Sequence, residues 1–201
     1  MSNDRHEILR QSFNDFWSSI FGKSDDYYSY MNNSDFDTLK TVLANINGII
    51  TYNSTLAMVD FIAELFSLPT DEKNQILNKT KNTNPYANGF DIIHVGTVNV
   101  VAEVKCNRPI NNGNRFGGAQ NKGIKKDLLQ LFNGKNQLDY EDLQGYYKLM
   151  GVFRFDDKTE EAVRHYIKHL PEDLIDFVEL YDSDTIISME KAYVVLLGNK
   201  D

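Results

Sequence analysis

Asp91, Glu103 and Lys105 are the only charges in residues 89–106, a stretch that is otherwise mostly apolar and β-branched. Two such runs joined through Gly96 predict a β-hairpin with a short loop. Both runs are apolar on nearly every residue, so the hairpin is expected in the middle of a sheet covered on both faces. Charges in such strands are costly unless they are paired or bind something. Side chains alternate along a strand, which puts Glu103 and Lys105 on one face and Val104 and Cys106 on the other. If the loop is Gly96, Thr97 and Val98, Val95 pairs with Asn99 and the same register sets Asp91 across from Glu103. Directly opposed residues have Cβ atoms about 4.5 to 5.5 Å apart. Two carboxylates that close repel, and a divalent cation between them relieves the repulsion. Oxygen ligands of this kind suit Mg²⁺, which keeps several waters and leaves room for a substrate phosphate. The ammonium of Lys105 could then orient a water or stabilise charge building up on phosphorus.

Asp91 followed after eleven residues by Glu103-Val104-Lys105 resembles the motif of the PD-(D/E)XK nuclease superfamily, the restriction-endonuclease-like fold. Phe90 stands where that motif often has proline. The resemblance covers roughly residues 54 to 155. It implies an α/β protein with a mixed central sheet flanked by helices, and Mg²⁺-dependent hydrolysis of DNA phosphodiesters. It also implies roles. Asp91 and Glu103 would hold one or two Mg²⁺ ions, with the Val104 carbonyl as a further ligand, and Lys105 would act on the water or on the transition state. A helix ahead of the hairpin often carries another acid in such nucleases, here Glu64 first and Asp60 second. A helix after it often turns Lys, Arg or Gln toward phosphate, which marks Gln120, Lys122 and Lys126.

The elements that must position these residues read as follows. Residues 6 to 22 form an amphipathic helix with an aromatic face built from Phe13, Phe16, Trp17 and Phe21. A polar, tyrosine-rich loop follows. Ser34 is expected to cap a second helix through about Ile46, with Asp37 as its capping-box acid, and Asn47-Gly48 to end it. A third helix is expected from Ser54 or Thr55, with Leu56, Val59, Ile62 and Phe66 on its apolar face and Pro69 as its stop. Thr70 caps a short helix through Leu77, and residues 78 to 89 read as a loop. Beyond the hairpin, a Gly/Asn-rich loop carrying Arg115 leads into a helix from about Ala119 to Phe132. Its Ile124, Leu128 and Leu131 point inward. Residues 145 to 155 read as a strand, with Asp156 and Asp157 capping a helix from Lys158 to Leu170. His165 and His169, four apart on that helix, have a metal-compatible spacing without an acid or cysteine companion, and read as packing or surface residues. A short helix from Pro171 to Leu180 and a strand from Ala192 to Leu197 complete the chain. The division expected is a helical extension over residues 1–52 and a nuclease-like core over 53–201.

Composition bounds the rest. At 201 residues, with 41% apolar and 25% charged residues, the chain is an ordinary soluble protein able to bury a core. It has no run of eighteen apolar residues, and its N-terminus lacks a secretory pattern. The single cysteine, Cys106, fits a reducing cytoplasm and excludes an internal disulfide. The net charge of −8 is uneven, since residues 105 to 135 carry seven cations against Asp127 alone. A basic segment on an acidic body is the asymmetry of a nucleic-acid-facing surface, with Arg115, Gln120, Lys122, Lys125 and Lys126 as candidate contacts to DNA phosphate. Within the family a type II restriction endonuclease is the first expectation, because one nuclease core stands without a helicase or ATPase motif. Cutting both strands implies a homodimer, with the aromatic N-terminal helices as interface. The alternatives are an inactive nucleic-acid-binding or interaction module on the same fold, and a repair or recombination nuclease.

Overall fold

The computed structural model describes residues 4–83, 88–110, 114–135 and 138–198. They form two compact units, residues 1–47 and 48–201. In the first unit, α1 (Arg5–Phe21) starts at Asp4, whose carboxylate accepts from the His6 N–H, and stops at Gly22 in the left-handed region. A 3₁₀ turn (Tyr27–Tyr30) and α2 (Asn33–Ala44) follow. The capping box of α2 lies two residues earlier than expected. Asn32 accepts from the Ser34 and Asp35 N–H groups while Asp35 accepts from the Asn32 N–H, the chemistry assigned to Ser34 and Asp37. The helix meets in edge-to-face contacts among Phe13, Trp17 and Phe36.

The second unit is built on a five-stranded mixed sheet flanked by helices, in the order β1-β2-β5-β7-β6. Its strands are β1 (Ile92–His94), β2 (Val100–Lys105), β5 (Tyr147–Phe153), β6 (Val178–Leu180) and β7 (Ala192–Leu197). Strand β1 runs antiparallel to β2, and every other neighbouring pair is parallel. The hairpin therefore lies at the sheet's edge rather than its middle. Strand β2 is interior and β1 is a three-residue border.

Each face has its own helix. Helix α3 (Ile46–Leu65) covers one side, where Met58, Val59 and Ile62 pack with Val100, Ala102, Val104, Tyr193 and Val195. It begins eight residues before the expected Ser54, running through Gly48, so propensity alone does not mark its start. Helices α5 (Gly118–Asn133) and α6 (Asp157–Lys168) cover the other side. There Ile124, Leu128, Ala162 and Val163 pack with Val101, Met150, Val152 and Val194. Period-two alternation along β2 produces this division.

Three further readings change. Helix α4 (Thr70–Asn82) extends five residues past Leu77. The expected helix over 171–180 is a single turn, α7 (Glu172–Ile175), followed by β6, which pairs with β7. A two-residue hairpin, β3 (Gly134–Lys135) with β4 (Leu138–Asp139), follows α5. Gly134 has φ of +98° and a Cβ there would lie 2.4 Å from the Leu138 carbonyl oxygen, so glycine is required at this turn.

One buried cation serves the fold alone. Lys148 on β5, 3% exposed, donates from Nζ to the carbonyls of Leu143 (2.8 Å), Tyr146 (3.1 Å) and Met189 (2.6 Å), and burial holds its pKa below the ordinary lysine value.

The hairpin loop is fixed from outside by Glu72 of α4. Its carboxylate accepts from the Thr97 N–H (3.0 Å) and the Thr97 hydroxyl and pairs with His94 Nε2 (2.8 Å). Glu72→Ala is expected to lower the urea midpoint of unfolding, since three polar groups lose their partner together. Urea titration of the two proteins measures this difference.

Candidate active site

Strand pairing sets the geometry. The observed partners are Ile92 with Ala102, Ile93 with Val101 and His94 with Val100. The register expected from a Gly96-Thr97-Val98 loop is the register observed, and one step past β1 it sets Asp91 opposite Glu103. Because β1 is antiparallel to β2, Asp91 stands at the carboxyl end of β2, beside the carboxyl end of parallel β5. That edge is where open α/β sheets collect ligands.

Glu103 is 3% exposed and lies beside Met150 on β5, on the face that also carries Val101. Burial first, then the negative charge of Asp91, raise its pKa to about 7, against the pull of Lys135. Asp91 is oriented by the backbone. Its Oδ2 accepts from the Val104 N–H at 2.7 Å, so it is the amide of Val104 that the structure ties to the site.

The two acids do not stand alone. Lys105, on the same face as Glu103, forms an ion pair with Asp127 of α5. Lys135, from the β3–β4 hairpin, donates from Nζ to Glu103 Oε1 at 2.7 Å and lies 5.7 Å from the centre of the Phe90 ring. Asp127 is three residues after Ile124 and four before Leu131, so helical spacing puts it on the buried face of α5, where it is 8% exposed. Both residues escaped the sequence analysis. For Asp127 a signal existed, an acid on an otherwise apolar helix face; for Lys135 none did, because two-residue strands leave no periodic trace.

Other expected contributors lie elsewhere. Glu64 is exposed on α3, the helix covering the opposite face of the sheet from Glu103, and Asp60 on the same helix pairs with Lys73 at 2.7 Å. The structure thus does not bring Glu64 to the two carboxylates. Gln120 is engaged at both ends of its amide, accepting from the Gly117 N–H and donating to the Arg108 carbonyl, each at 2.8 Å. It caps α5 instead of facing solvent phosphate. Arg115 donates from Nη1 to the Asn114 carbonyl at 2.6 Å. Lys122, Lys125 and Lys126 turn to the outer side of α5, away from its core face. With Leu129, Gln130 and Asn133 they line a shallow groove of about 370 Å³. They form a basic stripe that is separate from the carboxylate pair. His165 and His169 stack on each other, ring centres 4.0 Å apart, with His169 Nδ1 on the His165 carbonyl.

The donor set fits a divalent cation in its chemistry. It offers two oxygen ligands of opposed strands, one of them buried and raised in pKa by that burial and by the negative charge of the other. Among the described residues no third His, Cys, Asp or Glu joins them in a ready-made cage. Compared with protein-family models, curated proteins and solved structures, the chain matches none.

The raised pKa of Glu103 makes stability depend on pH. The folded protein keeps a proton that the unfolded chain releases near 4.5, so stability falls as pH rises from about 4.5 to about 7 and levels off above. Glu103→Gln removes this dependence. Its unfolding free energy relative to the parent is expected to improve between pH 5 and pH 8 by a few kcal/mol, on the order of 3. Chemical denaturation in EDTA at several pH values reads the change; a constant difference would contradict the burial argument.

Proposed function

We propose that this protein is a Mg²⁺-dependent endonuclease that hydrolyses DNA phosphodiester bonds on a PD-(D/E)XK, restriction-endonuclease-like core. The observation that carries the reading is the opposition of Asp91 and Glu103 on one face of the sheet, with Lys105 two residues further along that face. The order of helix α3, hairpin, helix α5 and parallel strand β5 supports it, as does the edge of the sheet at which the three residues collect.

A bound Mg²⁺ would supply Lewis acidity toward the scissile phosphate and lower the pKa of an attacking water. Asp91 and Glu103 would hold it, Asp91 kept in place by the Val104 amide. Lys105 would leave its resting partner Asp127 to stand against the phosphate, where an ammonium offsets charge developing on the non-bridging oxygens. Asp127 is then a positioning residue for Lys105. The apolar neighbours Val101 and Met150 limit water around Glu103 and so strengthen each of these interactions. The outward lysines of α5 fit contacts to the DNA backbone that carry little sequence information.

Among such nucleases, a type II restriction endonuclease acting as a homodimer remains our first assignment. The N-terminal unit supports the dimer. Among its described side chains none is buried, and Ile8, Leu9, Phe16, Ile20, Phe21 and Leu43 are exposed, more apolar surface than an isolated unit ordinarily leaves to water. Light scattering is expected to give twice the mass of one chain, falling to one chain in a Phe16→Glu, Phe21→Glu double variant. A monomer for the parent protein, with and without DNA, removes the dimer.

A second reading has one observation in its favour. Lys105 pairs with Asp127 and Lys135 with Glu103, so each of these acids has a lysine partner from within the chain, as a DNA-binding module without catalysis would need. Plasmid nicking separates the two. The nuclease nicks supercoiled DNA with Mg²⁺ or Mn²⁺, and Asp91→Ala, Glu103→Ala and Lys105→Ala each reduce the rate by ~100-fold or more while DNA binding persists. Binding without cleavage under any divalent ion favours the module. A repair or recombination nuclease would instead show its preference for branched or damaged substrates.

A further inference from the structure

We propose that Lys135 is a resident counter-ion of Glu103 that a divalent cation must displace, so that the small β3–β4 hairpin sets the affinity of the carboxylate pair for metal. This rests on the reading of Asp91 and Glu103 as a metal site.

Three observations point to displacement. First, the lysine on Glu103 is not the motif lysine. Lys105 is held by Asp127, and it is Lys135, thirty-two residues beyond Glu103, whose Nζ lies 2.7 Å from Glu103 Oε1. An ammonium at that distance takes up acceptor capacity of Oε1 that a metal would compete for, and brings a single charge to one carboxylate. A divalent ion brings two charges and shares them between opposed carboxylates, so exchange is favoured wherever both acids bind.

Second, Lys135 is placed to leave. Its side chain is 19% exposed while that of Glu103 is 4% exposed, so of the two partners the lysine is the one with access to solvent. Phe90 offers a waiting place, since the ammonium is already 5.7 Å from its ring centre. Third, the element that carries Lys135 stands outside the five-stranded sheet. Among the described residues it pairs Gly134 with Asp139 and Lys135 with Leu138. A four-carbon stem on a two-residue strand can swing without disturbing the core.

Mn²⁺ binding to the full-length protein, followed by electron paramagnetic resonance of the free ion at pH 8, tests the exchange. Lys135→Met keeps an unbranched stem and removes the competitor, and is expected to tighten the apparent Kd about tenfold or more. Lys135→Arg keeps a cation that grips a carboxylate more firmly, and is expected to weaken binding. Lys168→Met, which removes an exposed lysine from the end of α6, is expected to change binding by less than about twofold, excluding a mere effect of net charge. Asp91→Asn abolishes the site in every background. If Lys135→Met disturbs folding, the comparison of Lys135→Arg with the parent decides alone, and equal affinity there overturns the exchange. Equal Kd for the parent and Lys135→Met, with Asp91→Asn still abolishing binding, also overturns it and leaves the metal site standing. Absence of any Asp91-dependent Mn²⁺ binding in the parent and Lys135→Met alike overturns the metal reading and the exchange together.

Discussion

Two carboxylates held across a pair of antiparallel strands, one of them shut away beside Val101 and Met150, demand positive charge. The cost of removing an ion from water falls with exposure, and Glu103 has almost none. Raising its pKa to about 7 relieves part of that cost. Lysine pairing relieves another part, and the surroundings are arranged accordingly. Asp127 draws in Lys105, Lys135 reaches Glu103, and the Val104 amide holds Asp91 in a fixed orientation. Three acids and two ammonium groups converge at one edge of the sheet, so with Glu103 ionised, above about pH 7, the cluster carries one net negative charge.

The same arrangement explains how two functions from different classes could share one scaffold. Pairs between lysine and carboxylate give Glu103 and Asp127 a counter-charge from within the chain. They also leave Asp91, Glu103 and Lys105, the groups that the proposed hydrolysis would use, within one small region. The basic stripe on the outer side of α5 is a different feature, displaced around the helix from Asp127, and under the proposed function it would attract a polyanion rather than take part in the chemistry.

What the sequence made legible follows from which forces are local. The hairpin register was readable because Gly96 fixes the loop and alternation fixes the faces, so Asp91, Glu103 and Lys105 could be placed from spacing alone. Helix α5 was readable from the inward spacing of Ile124, Leu128 and Leu131, and β7 from its apolar run. Strand β6 was taken for helix because three residues between turns have no period of their own; its pairing with β7 creates it. Helix α3 extends back through Gly48 despite that residue's weak helix propensity, so its start could not be found by looking for a breaker. The contacts of Lys105 with Asp127 and of Lys135 with Glu103 join residues 22 and 32 apart in the chain. Only the packing of α5 and the turn at Gly134 bring them together. Glu64 failed for the complementary reason, since its helix lies on the other side of the sheet.

The most direct measurement is a crystal of the protein soaked in Mn²⁺, with anomalous diffraction collected at the manganese edge. A strong peak within about 2.5 Å of oxygens from both Asp91 and Glu103 is the predicted result. Saturating Mn²⁺ with the two carboxylates still held only by lysine and backbone, and no anomalous peak between them, would contradict it.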